Sequence, residues 1–260
     1  MTYNLGGGRN IHATTYMESI NILKEKAINI INGIQPDILF IQEVPEIITA
    51  ENEKISVVDS IAMNCGFQDN FFYGVTLSMR QNLQVTKSIM RDGIFNDWLD
   101  WRHGNAMFCK SGFVRFSDPQ KTGKPVNIPL FVPEVYQGNR DTDPRYAVFA
   151  RLNTSQSPYV IGLHLTTLLG ERGDLIIRGK SETATMMRIQ QLQKVIDLIN
   201  DEILKHDLPI IMLGDFNSPH NEISIAGLLE HANHFLRLKP EIDIRTHLKL
   251  KEAVDHILVF

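Results

Sequence analysis

Short apolar runs that end on a polar residue recur through this chain, and they constrain its fold more than any other feature. "ILFIQE" ends on Gln42 and Glu43, "YVIGLHL" carries His164, and "LPIIMLGDFNSP" breaks into Asp215 and Asn217. "MTYNL" delivers Asn4 in the same way, and "AVDHILV" carries Asp255 and His256 near its beginning. Such runs are short and apolar rather than alternating, and they read as strands covered on both faces. Longer stretches of helical period separate several of them. "TTYMESINILKEKAINIINGI" places Tyr16, Ile20, Leu23, Ala27, Ile30 and Ile34 on one face and ends around Gly33, before Pro36. "SETATMMRIQQLQKVIDLINDEILKH" aligns Ile189, Leu192, Ile196, Ile199 and Ile203, with Ser181 as N-cap and Glu182 in the first turn, and stops before Pro209.

Further strands are expected near 70–77, 83–89, 105–109, 112–116, 145–152 and 158–165. Several follow one another across turn residues, which favours antiparallel pairing in the middle and helix-separated strands at both ends. The proline-rich stretch 117–145 reads as a long loop. No repeat or linker divides the 260 residues, so one mixed α/β domain with helix-covered sheets is expected.

Composition serves to exclude. A net charge of −4 supplies no general basic field, so charge does not favour a nucleic-acid partner, although a local patch would suffice for one. Cys65 and Cys109 read as buried thiols rather than a disulfide. No run is long enough to cross a bilayer, and no signal-peptide pattern is visible, so a cytoplasmic location is expected. Nothing in the sequence sets an oligomeric state.

Ligand sites in α/β folds gather at strand ends, so the polar residues above are candidates for one shared site. Glu43 and Asp215, with Asn4 and Asn217, form an oxygen-rich set that suits a hard cation keeping several waters, Mg²⁺ before Zn²⁺ and with Mn²⁺ as a substitute. Zinc-site spacing, a P-loop and a nucleophile-elbow serine are all missing. "LGGGR" at 5–9 lacks dinucleotide-binding spacing and reads as a flexible loop beside the site. Taken singly, each residue also has a structural explanation. "GDFN" fits a turn bonding its own backbone, and His164 fits a satisfied core histidine.

Taken in order, "MTYNL", "PDILFIQEV", "HGNAMFCKSGF", "IGLHLTT", "LPIIMLGDFNSP" and "AVDHILV" resemble the motifs of the endonuclease/exonuclease/phosphatase superfamily over nearly the whole chain. The resemblance implies a four-layer sandwich, two packed mixed β-sheets flanked by helices. It implies Mg²⁺-dependent in-line hydrolysis of a phosphate ester, a phosphodiester first. Glu43 would bind the metal, with Asn4 nearby completing its shell or fixing the phosphate, and Asp215 would orient and activate the water. Asn217 would hold the phosphate or support the groups around it, and His164 would donate to a phosphate oxygen. Arg188 resembles an arginine often found at its position, and a surface salt bridge accounts for it equally well. Asp255 resembles the aspartate that orients a histidine on the family's closing "SDH.P" strand. No such motif follows Asp255 before Phe260, so the resemblance implies a domain incomplete at its C-terminus. Two other readings stand beside it. One is a non-catalytic domain that binds a phosphorylated ligand or partner. The other is an inositol-phosphate-type monoesterase using Arg140, Arg145, Arg172, Arg178 and Lys180 from the stretches 117–145 and 168–180.

Overall fold

The computed structural model describes residues 1–10, 12–78, 98–114, 123–136, 142–167, 171–172, 175–176, 178–203, 207–231, 236–238 and 253–259. Strands β1 (Thr2–Asn4), β2 (Ile38–Thr49), β3 (Lys54–Ser56), β4 (Phe71–Ser78) and β5 (Trp98–Cys109) build a first sheet in the order β1-β2-β5-β4, with β3 also on β2. β1 runs parallel to β2 and the other pairs are antiparallel. Strands β6 (Val126–Phe131), β7 (Arg145–Arg151) and β8 (Tyr159–His164) enter a second sheet. A small hairpin, β9 (Glu171–Arg172) and β10 (Leu175–Ile176), follows. β11 (Ile210–Asp215), β12 (Leu236–Arg237) and β13 (Asp255–Val259) complete the second sheet in the order β12-β13-β11-β8-β7-β6. Its central β11 has β8 parallel on one side and β13 antiparallel on the other.

Helices cover the outer faces. On the first sheet, α1 (Tyr16–Ile34) and α2 (Val57–Asn64) share a core with Leu39, Ile41, Val44 and Phe108. On the second, α3 (Arg178–Leu198), extended by the π-helical turn Ile199–Ile203, and α4 (Ile223–His231) pack on Ile161, Leu163, Ile210 and Met212. A third core closes the sheets on each other through Phe40, Met107, Val148, Val160 and Leu213. These layers are the α/β sandwich that the resemblance implied. The sheets approach closely where the Phe40 ring covers Gly162, since a Cβ there would come within 2.3 Å of the ring.

The helix ends follow their caps. Thr15 Oγ1 accepts from the Glu18 amide at 3.1 Å while Glu18 accepts from the Thr14 amide at 2.8 Å, starting α1. The helix runs past Gly33 and stops at Gln35, which takes a left-handed conformation. Several expectations need correcting. The buried stripe of α1 ends on Ile31, whereas Ile30 and Ile34 are 41% and 59% exposed. α3 starts at Arg178, so Ser181 lies inside it rather than capping it. The stretch 117–145 is not all loop, because β6 lies within it and pairs with β7. Of 112–116, Phe113 makes a single bridge to Leu152. The expected strand 83–89 lies outside the described residues.

Candidate active site

Asn4, Glu43, His164, Asp215 and Asn217 come together where the two sheets meet. Glu43 comes from β2, at a bulge where the pairing with β5 slips between Ile41 and Val44. The bulge holds Glu43 at φ 52°, a left-handed conformation that a non-glycine residue adopts only when its surroundings impose it. Asn217, just beyond β11, is held the same way at φ 49°. Neither feature was readable from composition or period.

Asn4 ties the two sheets together. Its Nδ2 donates to Asp215 Oδ2 at 3.0 Å and lies 3.4 Å from Glu43 Oε1. The amide is oriented by Gly6, whose N–H donates to Asn4 Oδ1 at 2.8 Å. Gly6, Gly7 and Gly8 take successive left-handed conformations, at φ 61°, 66° and 76°. The sequence reading of a loose loop is corrected here. Tyr16 donates to the Gly7 carbonyl at 2.5 Å, Ser19 donates to the Gly8 carbonyl at 2.6 Å, and Trp101 Nε1 donates to the Tyr16 hydroxyl at 2.8 Å.

His164, at the end of β8, is buried, with Nε2 3.6 Å from Glu43 Oε1. Nη1 of Arg145 lies 2.9 Å from Nε2 and 3.2 Å from Nδ1 of that ring. A guanidinium only donates, so the imidazole nitrogen that accepts from Arg145 carries no proton. Arg145 also donates to Thr167 Oγ1 at 3.1 Å and pairs with Asp143 at 3.5 Å. It opens β7 and is buried, so it is a site residue rather than part of a loop surface. Arg140 lies outside the described residues, as do the side chains of Arg172, Arg178 and Lys180.

Behind His164, α3 holds the segment 165–167. Arg188 is 0% exposed. It donates to both Glu222 oxygens at 2.8 and 2.7 Å, and to the Thr166 and Thr167 carbonyls at 3.2 and 3.4 Å. Gln191 accepts from the Thr166 amide at 3.0 Å and donates to its hydroxyl at 2.7 Å. The surface-salt-bridge reading of Arg188 is thereby replaced by a buried pair. Asn217 Nδ2 donates to the Leu165 carbonyl at 3.0 Å, and its backbone N–H donates to Asp215 Oδ1 at 2.9 Å. The expected backbone turn of "GDFN" therefore exists and sits within the cluster.

Asp255 lies directly across from Asp215 in the β11–β13 ladder. Side chains alternate along β13, so His256 faces the helices. There its Nε2 donates to the Ser218 carbonyl at 2.7 Å and its ring meets Phe216 edge-on.

Burial is the main cause that raises Asp215 from 3.8 to about 6, and the nearby Glu43 charge raises it further, while hydrogen bonds from Asn4 and Asn217 oppose the rise. Burial also pushes His103 of β5 below its ordinary value, against the charges of Glu43 and Asp143. Two close carboxylates, one of them forced towards its neutral form, are stabilised by a cation between or beside them. Among the described residues no three His, Cys, Asp or Glu side chains form a metal cluster. The oxygen donors of Glu43, Asp215 and Asn4 are of the type that suits a hard cation rather than zinc.

Two mixed sheets between helices, with Asn, Glu, His and Asp–x–Asn at their meeting edge, define a phosphoester-hydrolase scaffold. A family profile described as "Endonuclease/Exonuclease/phosphatase family" matches residues 1–260, and the chain belongs to that family, whose members hydrolyse phosphate esters. No curated protein matches it in sequence. Among solved structures, it resembles an endonuclease/exonuclease/phosphatase from Beutenbergia cavernae DSM 12333 at TM-score 0.62 and 13% identity, covering 99% of this chain and 62% of that one. It resembles the Bacteroides thetaiotaomicron VPI-5482 mannosyl-6-phosphatase Bt3783 at TM-score 0.56 and 13% identity, covering 99% and 83%. It also resembles D. rerio TDP2 complexed with a single strand DNA product, at TM-score 0.54 and 13% identity, covering 99% and 81%. At these identities the likeness is one of fold, and the chain spans less than two thirds of the Beutenbergia protein's length. Among the described residues no helix is long and apolar enough to cross a membrane.

Proposed function

We propose that this chain is a divalent-metal-dependent phosphodiesterase. The observation that carries the reading is the convergence of Glu43 and Asn4 from one sheet with His164 and Asp215 from the other. Mg²⁺ is the cation that best suits the donor set, and when bound it would offset charge on the phosphate and the departing oxygen. The residues supply the rest. Asp215, held by the Asn4 amide, accepts the proton of the attacking water and fixes its line of approach. His164 donates an N–H to a phosphate oxygen, where charge grows in the transition state. Arg145 fixes the ring's orientation and adds a permanent positive charge. Asn217 holds the turn that aims Asp215, and Asp255 lies alongside as a second acidic group on the same sheet.

Among solved structures of similar fold, TDP2 is described with a single strand DNA product and Bt3783 as a mannosyl-6-phosphatase. Monoester hydrolysis is the second reading here, favoured by the Arg145 guanidinium, which suits a dianion. The test is hydrolysis of bis(p-nitrophenyl) phosphate with Mg²⁺ and with EDTA, beside Asp215→Ala. Activity requiring both the metal and Asp215 supports the reading, and hydrolysis that survives EDTA sinks it. A phosphorylated ligand that binds without turnover would return the non-catalytic alternative.

A further inference from the structure

Arg145 reaches His164 on a long side chain, and part of what aims its fork lies outside the groups assigned above. Nη1 serves His164, whereas Nη2 is held twice, by Thr167 Oγ1 at 3.1 Å and by Asp143 Oδ2 at 3.5 Å. Asp143 and Arg145 are joined by Pro144, which is buried. A residue before proline is kept to extended backbone, and residues two apart on an extended chain share a face, so carboxylate and guanidinium emerge side by side. Asp143 in turn accepts a hydrogen bond from the Tyr136 hydroxyl. Tyr136 is 7% exposed and belongs to the core of the first sheet, with Tyr16, Trp101 and Leu77. A phenol in an apolar core needs a partner for its O–H, and here the partner is the carboxylate that grips Arg145. Two short links therefore run from the core of the first sheet to the imidazole on the second.

We propose that Tyr136 and Asp143 are positioning residues, holding the Arg145 guanidinium in the plane that meets His164. The effect on rate rests on the phosphoesterase reading, since the aim of His164 matters to turnover only there. An arginine side chain is rich in rotamers, and its fork serves two partners at once in one orientation only. Thr167 alone would leave the fork free to turn about a single hydrogen bond. The Asp143 charge supplies a second restraint on the same nitrogen. It also supplies the counter-charge that a guanidinium only 3% exposed requires. The Tyr136 hydroxyl, carried on a ring locked in the core, then fixes the carboxylate, which is 18% exposed and would otherwise be free to turn towards water. Both residues act through Arg145.

The test uses conservative variants of the full chain. Tyr136→Phe keeps the ring in its core and removes only the hydroxyl, and Asp143→Asn keeps the shape and removes the charge. Each should lower kcat on bis(p-nitrophenyl) phosphate with Mg²⁺ by about three- to tenfold, with KM within about twofold of the parent. Because the two act in series, the double variant should lose no more than about the larger single loss. In an Arg145→Lys background, Tyr136→Phe should cost less than about 1.5-fold. Single losses that multiply in the double variant, or an equal cost in both backgrounds, overturn the proposal. A second readout needs no turnover. In metal-free protein the ring ¹⁵N resonances of His164, assigned by their loss in His164→Gln, should move in Tyr136→Phe and Asp143→Asn in the direction that Arg145→Lys moves them. A ring that does not respond overturns the proposal whatever the rates. If the parent chain hydrolyses nothing, the phosphoesterase reading falls and the His164 resonances still decide the positioning. If Arg145→Lys fails to fold, the two milder variants and their double decide.

Discussion

The Asn4 amide nitrogen stands between carboxylates from two different sheets, 3.0 Å from Asp215 and 3.4 Å from Glu43. It reaches both, and Gly6 decides which way it faces. Asn4→Ala is expected to lower kcat/KM by about 10–100-fold, because two repelling carboxylates lose the group that orients them. The matching measurement is the rate on an aryl phosphodiester at saturating Mg²⁺, and an unchanged rate would remove Asn4 from the site.

Asp215 carries a conflict between function and stability. Its proton leaves at about 6 in the fold against 3.8 ordinarily. Between those values the folded state binds more protons than the unfolded state, so the group's contribution to stability falls as pH rises through the window. Above it, the ionised carboxylate costs the fold free energy. In metal-free protein at pH 7.5, Asp215→Asn should raise the melting temperature by about 2–6 °C while lowering turnover by about 10²–10⁴-fold. A lowered melting temperature at that pH contradicts the account.

Arg145 reaches His164 and Thr167 at once from a planar fork. Lysine keeps the charge and cannot span both partners. Arg145→Lys should therefore reduce kcat/KM by about tenfold or more with little change in folding, read by steady-state kinetics beside circular dichroism. Full activity in the lysine variant would show that only the charge matters.

Arg188 and Glu222 form a pair whose guanidinium is fully buried. Arg188→Met leaves the Glu222 carboxylate without its cation and should cost about 3–5 kcal/mol in a denaturant titration. Combining it with Glu222→Gln should recover part of the loss. If the double variant is as unstable as the single one, the cost comes from the lost bonds to Thr166 and Thr167 instead.

The sequence brought Asn4, Glu43, His164 and Asp215 forward as candidates because each ends an apolar run, and strand ends are where a sheet exposes polar side chains. The layers were legible through the family resemblance and the helical periods. What was not legible depended on neighbours distant in sequence. Ile30 fits the helical stripe as well as Ile31 does, and only the sheet surface beneath α1 decides which is buried. β6 hid among prolines because its strand character comes from pairing with β7. Arg145 looked like a loop charge in "DTDPR", and its burial follows from β7 beginning at that residue, next to His164. The left-handed backbone at Glu43 has no local signal, since the bulge arises from register against β5.

The Phe40 ring lying over Gly162 has a mechanical consequence. It sets a close approach between the two slabs, and the candidate site's groups are divided across them, with Glu43 on one slab and Asp215 and His164 on the other. If those groups react together as proposed, turnover is a gauge of slab separation. Hydrostatic compression, or a core residue of different girth beside Phe40, would register in the rate before it registered in unfolding.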